Sequence, residues 1–292
     1  MYELIQVSDN DYYVKSPTNI GLVKLNDMDV CIIDSGNDKE AGRKIRQILD
    51  ANGWNLVAIY STHSHADHIG GNKYLQSQTG CKIYSPSIEC DFTNHTVLEP
   101  AFLYGGYPMK ELRHKFLMAQ ESDCRPLTDS VVPGGLEIIP LPGHSFDMVG
   151  FRTKDDVVFL ADCISGKATL DKYKIGFVYD VGEYIATLEK VRDMKAKIFI
   201  PAHVEATEDI SELAQYNIDR VMEVADHIVE MCNEPITVEN IVKRLFDDYG
   251  LKMTMEEYVL ISSTVRSYLS WLKDCGRLNP NFIDNILYWE RA

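Results

Sequence analysis

Apolar positions along this chain keep two different rhythms. Up to about residue 205, short apolar runs bounded by turn residues alternate with stretches of helical period, and beyond about residue 210 the helical period dominates. Gly21–Leu25 and Asp29–Asp34, separated by Asn26-Asp27, predict a β-hairpin whose second run is β-branched and buried on both faces. The stretch "NDKEAGRKIRQILDANGW" sets Ala41, Ile45 and Ile48 on one helix face, with Gly53 as the stop. "NLVAIYST" reads as a strand, "GGNKYLQSQTG" as a helix and "CKIYSP" as the next strand. The strand pattern resumes at "GLEIIPLPGHS" and continues through "MVGFRTKDDVVFLADC", which turns at Lys154-Asp155-Asp156. A helix in "VGEYIATLEKVRDMKA" and a last strand in "KIFIPAHVEA" follow. Two halves, each with strands and then helices, fit sheets packed face to face with helices outside.

Two stretches depart from this alternation. Residues 87–126 carry Phe102, Tyr104, Tyr107 and Phe116 with Gly105-Gly106, and are too long for an ordinary connection. They read as a partly helical, aromatic-rich insertion. From Ile210, the positions Ala214, Ile218, Val221, Ala225 and Ile228 step by four and three, and Pro235 ends that helix. Thr237 starts a second helix, and Thr254 with Glu257 forms a capping box for a third that ends at Gly276. "RLNPNFIDNILYWE" predicts a terminal hairpin around Asn279-Pro280-Asn281. Residues 1–209 are thus expected to form one domain, and 210–292 a helical, winged-helix-like region.

Charge narrows the partners. The formal net charge over 292 residues is −15, which disfavours nucleic-acid backbones and anionic membranes. Residues 211–292 hold 14 Asp+Glu against 8 Lys+Arg, so the winged-helix outline lacks the basic face of a DNA reader. That region is expected to serve packing or homodimerisation. The seven cysteines are scattered singly, as expected for reduced thiols in the cytoplasm. No charged-then-apolar leader and no run long enough to span a bilayer is visible.

The chemistry concentrates in "STHSHADHIGGN", Ser61–Asn72, where His63, His65, Asp67 and His68 crowd one turn after an apolar run. Imidazole nitrogen and carboxylate oxygen suit zinc, iron or manganese, and four such groups within six residues can serve more than one ion. His144 in "LPGHS", Asp162 in "FLADC" and His203 in "IPAH" each stand where a strand gives way to a loop. Five of the eight histidines therefore fall at strand ends, where a two-sheet sandwich could gather them along one rim.

This series, HxHxDH followed by a single histidine, an aspartate and a last histidine, resembles the ligand set of the metallo-β-lactamase superfamily across roughly residues 10–205. The resemblance implies an αββα sandwich with a two-metal site on one edge. It implies that His63, His65 and His144 hold one ion, and that Asp67, His68 and His203 hold the other. Asp162 would bridge both beside a bridging hydroxide, with Asp67 and Asp162 as the catalytic carboxylates. Zinc is the expected metal, with iron or manganese as alternatives. Asp34, in "CIIDSG", matches the superfamily's early aspartate, and is expected to orient the histidine loop from behind.

Departures from the family's branches narrow the activity. True β-lactamases typically carry arginine where His68 stands, and many carry cysteine where Asp162 stands. Flavodiiron reductases carry glutamate at the position of His65, and quorum-signal lactonases a tyrosine where this chain has Ser165. The ligand set resembles that of glyoxalase II-like thioesterases, lactonases, and metal-dependent nucleases and phosphodiesterases. The expected activity is hydrolysis of an ester, thioester or lactone-like small molecule. The alternatives are a nuclease or phosphodiesterase, and a regulatory or oligomerising module with the sandwich as sensor. Phe102, Tyr104, Tyr107 and Phe116 are the expected substrate-pocket residues.

Overall fold

A computed structural model of the chain describes residues 2–292. Seven strands form the first sheet in sequence order: β1 (Glu3–Gln6), β2 (Asp11–Lys15), β3 (Ile20–Lys24), β4 (Asp29–Ile33), β5 (Asn55–Tyr60), β6 (Lys82–Ser85) and β7 (Cys124–Pro126). β1 to β4 pair antiparallel, and β4 to β7 pair parallel. The second sheet runs β11 (Ile198–Pro201), β10 (Val157–Ala161), β9 (Val149–Thr153) and β8 (Leu136–Pro140), with only β10 and β11 parallel.

Between the sheets lies a core of Tyr13, Cys31, Ile33, Tyr60, Phe151, Phe159 and Ile200. The parallel strands β4, β5 and β6 are apolar on both faces because α1 (Lys39–Asn52) and α3 (Asn72–Thr79) cover the outer one. Asp38 caps α1 by accepting from the amides of Glu40 and Ala41, and Gly53 ends it in the left-handed conformation. Leu49, rather than Ile48, joins Ile45 at full burial on this helix. The result is the αββα sandwich expected from the alternation of elements.

The second sheet is covered by α7 (Val181–Asp193), by α8 (Ser211–Met231) and by the helices that follow, α9 (Val238–Tyr249) and α10 (Met255–Asp274). Ala214, Ile218, Val221, Ala225 and Ile228 are all buried in that layer. Thr237 and Thr254 cap α9 and α10 through the amides of Asn240 and Glu257. The terminal hairpin, β12 (Leu278–Ile283) and β13 (Ile286–Arg291), does not turn at Asn279-Pro280-Asn281. It turns at Asp284-Asn285, both at positive φ (49° and 63°), the pair that a two-residue hairpin loop demands. Pro280 instead sits within β12, on a two-stranded ribbon with a free edge, where a missing N–H is tolerated.

The 87–126 stretch is helical at first, with α4 (Ser87–Asn94) and α5 (Leu98–Tyr104), but its tail is β7, the edge strand of the first sheet. The short helix α2 (Ala66–Ile69) follows β5, and α6 (Lys167–Tyr173) follows β10. Among the described residues, no helix is long and apolar enough to cross a membrane. All seven cysteines are free thiols, six of them buried and Cys275 exposed.

Candidate metal centre

The rim where strands end gathers seven side chains. His63, His65, Asp67 and His68 come from the loop and short helix after β5, His144 from the loop after β8, Asp162 from the end of β10 and His203 from the loop after β11. They form two groups, His63–His65–His144–Asp162 and Asp67–His68–Asp162–His203, and in each group one ligand atom per residue lies within 4.8 Å of all the others. Asp162 belongs to both. Its Oδ1 lies 3.3 Å from Nε2 of His68 and 3.3 Å from Nε2 of His203, while its Oδ2 lies 3.6 Å from Nε2 of His144.

The turn carrying the first four residues is held by backbone contacts. The Ser35 amide and hydroxyl both donate to the His68 carbonyl, at 2.8 and 3.1 Å. The Gly71 amide donates to the Ser35 hydroxyl. A β-carbon on Gly70 would lie 2.4 Å from the Asn37 carbonyl carbon, and one on Gly71 would lie 2.4 Å from the Ser35 carbonyl oxygen. The two glycines let the ligand loop lie directly on the 35–38 backbone.

Each histidine uses one ring nitrogen away from the centre. His63 Nδ1 lies 3.0 Å from the Thr62 hydroxyl, and His68 Nδ1 lies 2.8 Å from Asp34 Oδ2. His144 Nδ1 lies 3.1 Å from the Phe177 carbonyl, and His203 Nδ1 lies 2.8 Å from the Pro17 carbonyl. His65 is reversed: its Nε2 faces Glu99 Oε1 at 3.6 Å, and its Nδ1 faces His144 Nε2 at 3.0 Å. The outward partners select the nitrogen left to point inward, as the second contact of a ligating imidazole does. Inward, Nε2 of His63 and of His68 and Oδ1 of Asp162 are buried without a hydrogen-bond partner. His68 Nε2 and Asp162 Oδ1 lie 3.3 Å apart, yet neither has a hydrogen-bond partner. Orphaned buried polar atoms are costly, and a divalent cation in each group would satisfy them. The donor set of imidazoles and carboxylates suits zinc.

Proton affinities divide along the same line. Burial, reinforced by neighbouring histidines, holds His63 well below the ordinary imidazole range and His65 down to about 3. Burial lowers His144 as well. For His203, the Asp162 carboxylate outweighs burial and pushes it up to about 11. Burial opposes the charge on His68, but Asp162, Asp67 and Asp34 overcome it and raise its pKa well above the usual value. Asp162 and Asp67 stay ionised against burial because His203 and His68 face them. The three histidines of the first group are therefore neutral and ready to ligate, whereas His68 and His203 of the other hold protons that an incoming cation must displace.

Several contributors carry no signal in the motif. Thr18 donates to Asp67 Oδ2 at 3.1 Å from the loop between β2 and β3. Glu89 and Glu99 reach the ligand loops from α4 and α5. Phe177 stands edge-on to His65 and His144, with centroids at 5.3 and 5.7 Å. The four aromatics expected to form one substrate pocket do not converge. Phe102 packs on Phe146 and Tyr179, and with Tyr104 it lines a cavity of about 740 Å³ against Tyr258, Arg266 and Trp271 of α10. Tyr107 is 76% exposed under the Arg113 guanidinium, and Phe116 is 67% exposed beside Lys115. Gly105 ends α5 in the left-handed conformation, two residues before Tyr107.

The fold agrees with known proteins. The family model of the metallo-beta-lactamase superfamily matches residues 14–203, and the chain belongs to that superfamily. A "Beta-lactamase-like protein 2 homolog" of Drosophila melanogaster is 23% identical over 265 residues, covering 85% of this chain and 79% of its own length. A "Hydroxyacylglutathione hydrolase" of Bradyrhizobium sp. (strain ORS 278) is 49% identical over 129 residues, covering 43% of this chain and 40% of its own length. Among solved structures, a beta-lactamase domain protein from Burkholderia ambifaria superposes with a TM-score of 0.76 at 17% identity, covering 99% of this chain and 95% of its own. A metallo-beta-lactamase family protein from Thermus thermophilus gives 0.72 at 15% identity, covering 100% and 98%. Both share the fold over the whole length, including the helical C-terminal region.

Proposed function

We propose that this metallo-beta-lactamase superfamily hydrolase is a dinuclear enzyme that cleaves a small ester or thioester. The observation that carries the reading is the pair of ligand groups sharing Asp162, with unpartnered donor atoms aimed into both. His63, His65, His144 and Asp162 would hold one divalent ion, and Asp67, His68, His203 and Asp162 the other, zinc being the best fit to these donors. Such ions, when bound, supply a nucleophile at neutral pH and a Lewis acid for a carbonyl oxygen. The chain's own part is positional and electrostatic. Asp162 places one carboxylate oxygen toward each group and offsets cationic charge between them. Asp67, fixed by Thr18, balances the second group. Phe177 gives an acyl group an apolar wall beside His65 and His144. In the overall reaction water adds to the acyl carbon, the C–O or C–S bond breaks, and acid and alcohol or thiol leave.

The match to hydroxyacylglutathione hydrolases supports a thioester, although it spans less than half of the Bradyrhizobium protein. The net charge of −15 disfavours a polyanionic substrate. The test is a panel of thioesters, aryl esters, lactones, single-stranded RNA and bis(p-nitrophenyl) phosphate, offered to zinc-loaded protein with metal content measured in parallel. Turnover of thioesters or esters, lost on chelation and regained with zinc, is the expected result. Cleavage of the phosphodiesters alone would replace this reading with a nuclease or phosphodiesterase.

A further inference from the structure

The two groups of ligands are anchored by different parts of the molecule. His68 is held by Asp34, which follows β4 of the central sheet. The three-histidine group is assembled from two loops distant in sequence, 63–65 and 144–145, which meet directly at His65 and His144 and are also tied together by a helix from outside the sheets.

Glu89 lies in the first turn of α4 and is fully buried. Its Oε2 accepts from the Ser64 amide at 2.9 Å and from the Ser64 hydroxyl at 2.6 Å. Its Oε1 accepts from the Ser145 hydroxyl. Ser64 stands between His63 and His65, and Ser145 follows His144. The tie is returned from the other side: the Asp147 carboxylate accepts from the amides of Ile88 and Glu89 at 3.2 and 3.4 Å. Ten residues further on, Glu99 of α5 faces His65 Nε2 at 3.6 Å. A buried carboxylate is expensive unless donors converge on it, and all three donors here come from the two ligand loops.

We propose that Glu89 is a positioning residue that clamps the 63–65 and 144–145 loops together and so sets the metal affinity of the three-histidine group separately from that of its neighbour. The proposal rests on the dinuclear reading above. It gives the 87–104 helices a task at the metal centre, where sequence patterning suggested a substrate wall. Glu89→Gln preserves size, but its NH₂ cannot accept from the Ser64 amide, and turned the other way it meets Ser145 only if that hydroxyl reverses to accept, so an uncharged side chain with one acceptor oxygen holds the two loops less firmly. Loss of a contact that orients ligands typically costs about ten- to hundred-fold in metal affinity.

The experiment is titration of the metal-free full chain with Co²⁺ alone, followed by visible absorption and competition with a chelator of known affinity. In the unsubstituted chain two ions bind. In Glu89→Gln one of them should weaken about ten- to hundred-fold while the other keeps its affinity. Ser145→Ala, which removes a single donor, should move the same ion by less, and it serves if Glu89→Gln fails to fold. Asp34→Asn should weaken the opposite ion. Equal weakening of both ions in Glu89→Gln and Ser145→Ala would reduce Glu89 to general support and overturn the proposal, as would unchanged binding in both. Absence of Co²⁺ binding by the unsubstituted chain would instead overturn the dinuclear reading, and this proposal with it.

Discussion

Asp34 and His68 meet at 2.8 Å, carboxylate to imidazole, with both side chains closed off from solvent. Asp34 reaches this point at positive φ (63°) just after β4, and its carboxylate also accepts from the amide and hydroxyl of Thr62. One residue thus ties the end of β4 to the start of the ligand loop and to one of its imidazoles. Asp34→Ala would strip His68 Nδ1 and Thr62 of their shared acceptor. Metal affinity of the group containing His68 should fall about ten- to hundred-fold, and hydrolysis at limiting zinc should fall with it. Competition with a chelator measures the first, and excess zinc should restore part of the second. Unchanged affinity would mean that Asp34 only shapes the turn.

The glycine pair after His68 leads to a stability prediction. Added β-carbons at Gly70 and Gly71 would meet backbone, not flexible side-chain ends, at 2.4 Å. Gly71→Ala should therefore destabilise the fold by about 1–3 kcal/mol, as overpacking does, and loosen the metal centre with it. Thermal unfolding with and without zinc checks this. Gly106→Ala, at a glycine with open space around it, is the control and should leave the midpoint nearly unchanged.

These two sites mark the boundary of what the sequence shows. The strands were legible because β-branched runs bounded by turn residues have few other folds, and the ligand loop because so many donors crowd one turn. Leu49 for Ile48 is a shift of one position on a face read correctly. Glu89, Glu99 and Phe177 were not legible. A glutamate in the first turn of a helix reads as a solvated residue, and only the tertiary contact of α4 with both loops shows otherwise. The Pro17 and Phe177 carbonyls that hold His203 and His144 have no side-chain signature. At the terminal hairpin the proline was the louder signal and Asp284-Asn285 the true turn, since edge strands tolerate proline.

Protonation of the metal-free centre has a measurable sign. His203 is pushed up to about 11, chiefly by Asp162, and His68 is raised well above its ordinary value by the carboxylates that outweigh its burial. Both are protonated at pH 7, while His63, His65 and His144 are neutral because their pKa values are lowered. Zinc loading must then expel about two protons from the chain, and apparent affinity should rise with pH. Calorimetry in buffers of different ionisation enthalpy counts the protons, and His203→Ala should lower the count by about one. The same shift predicts how the metal-free protein responds to alkali. A raised imidazole contributes stability fully below the unfolded value near 6.5 and loses it as pH climbs toward the folded value, here about 11. The metal-free chain should lose stability across that window, and the zinc-loaded chain, with both imidazoles ligating, should lose less.

Phe177 permits binding and metal retention to be separated within one residue. Its carbonyl holds His144 Nδ1 at 3.1 Å, while its ring stands beside His65 and His144. Phe177→Ala keeps the carbonyl and deletes the ring. Zinc content should stay at the level of the unsubstituted protein because the imidazole keeps its partner. If the ring is the apolar wall for the acyl group, kcat/KM on an apolar thioester or ester should fall about ten-fold, equivalent to about 1.4 kcal/mol, mostly through KM. The loss should shrink for acetyl substrates, which reach the ring least. Steady-state kinetics across an acyl-length series, beside metal analysis, decides the matter. A fall in zinc content in step with activity would show that the ring holds the ligands rather than the substrate. A loss independent of acyl length would place the acyl group on another wall.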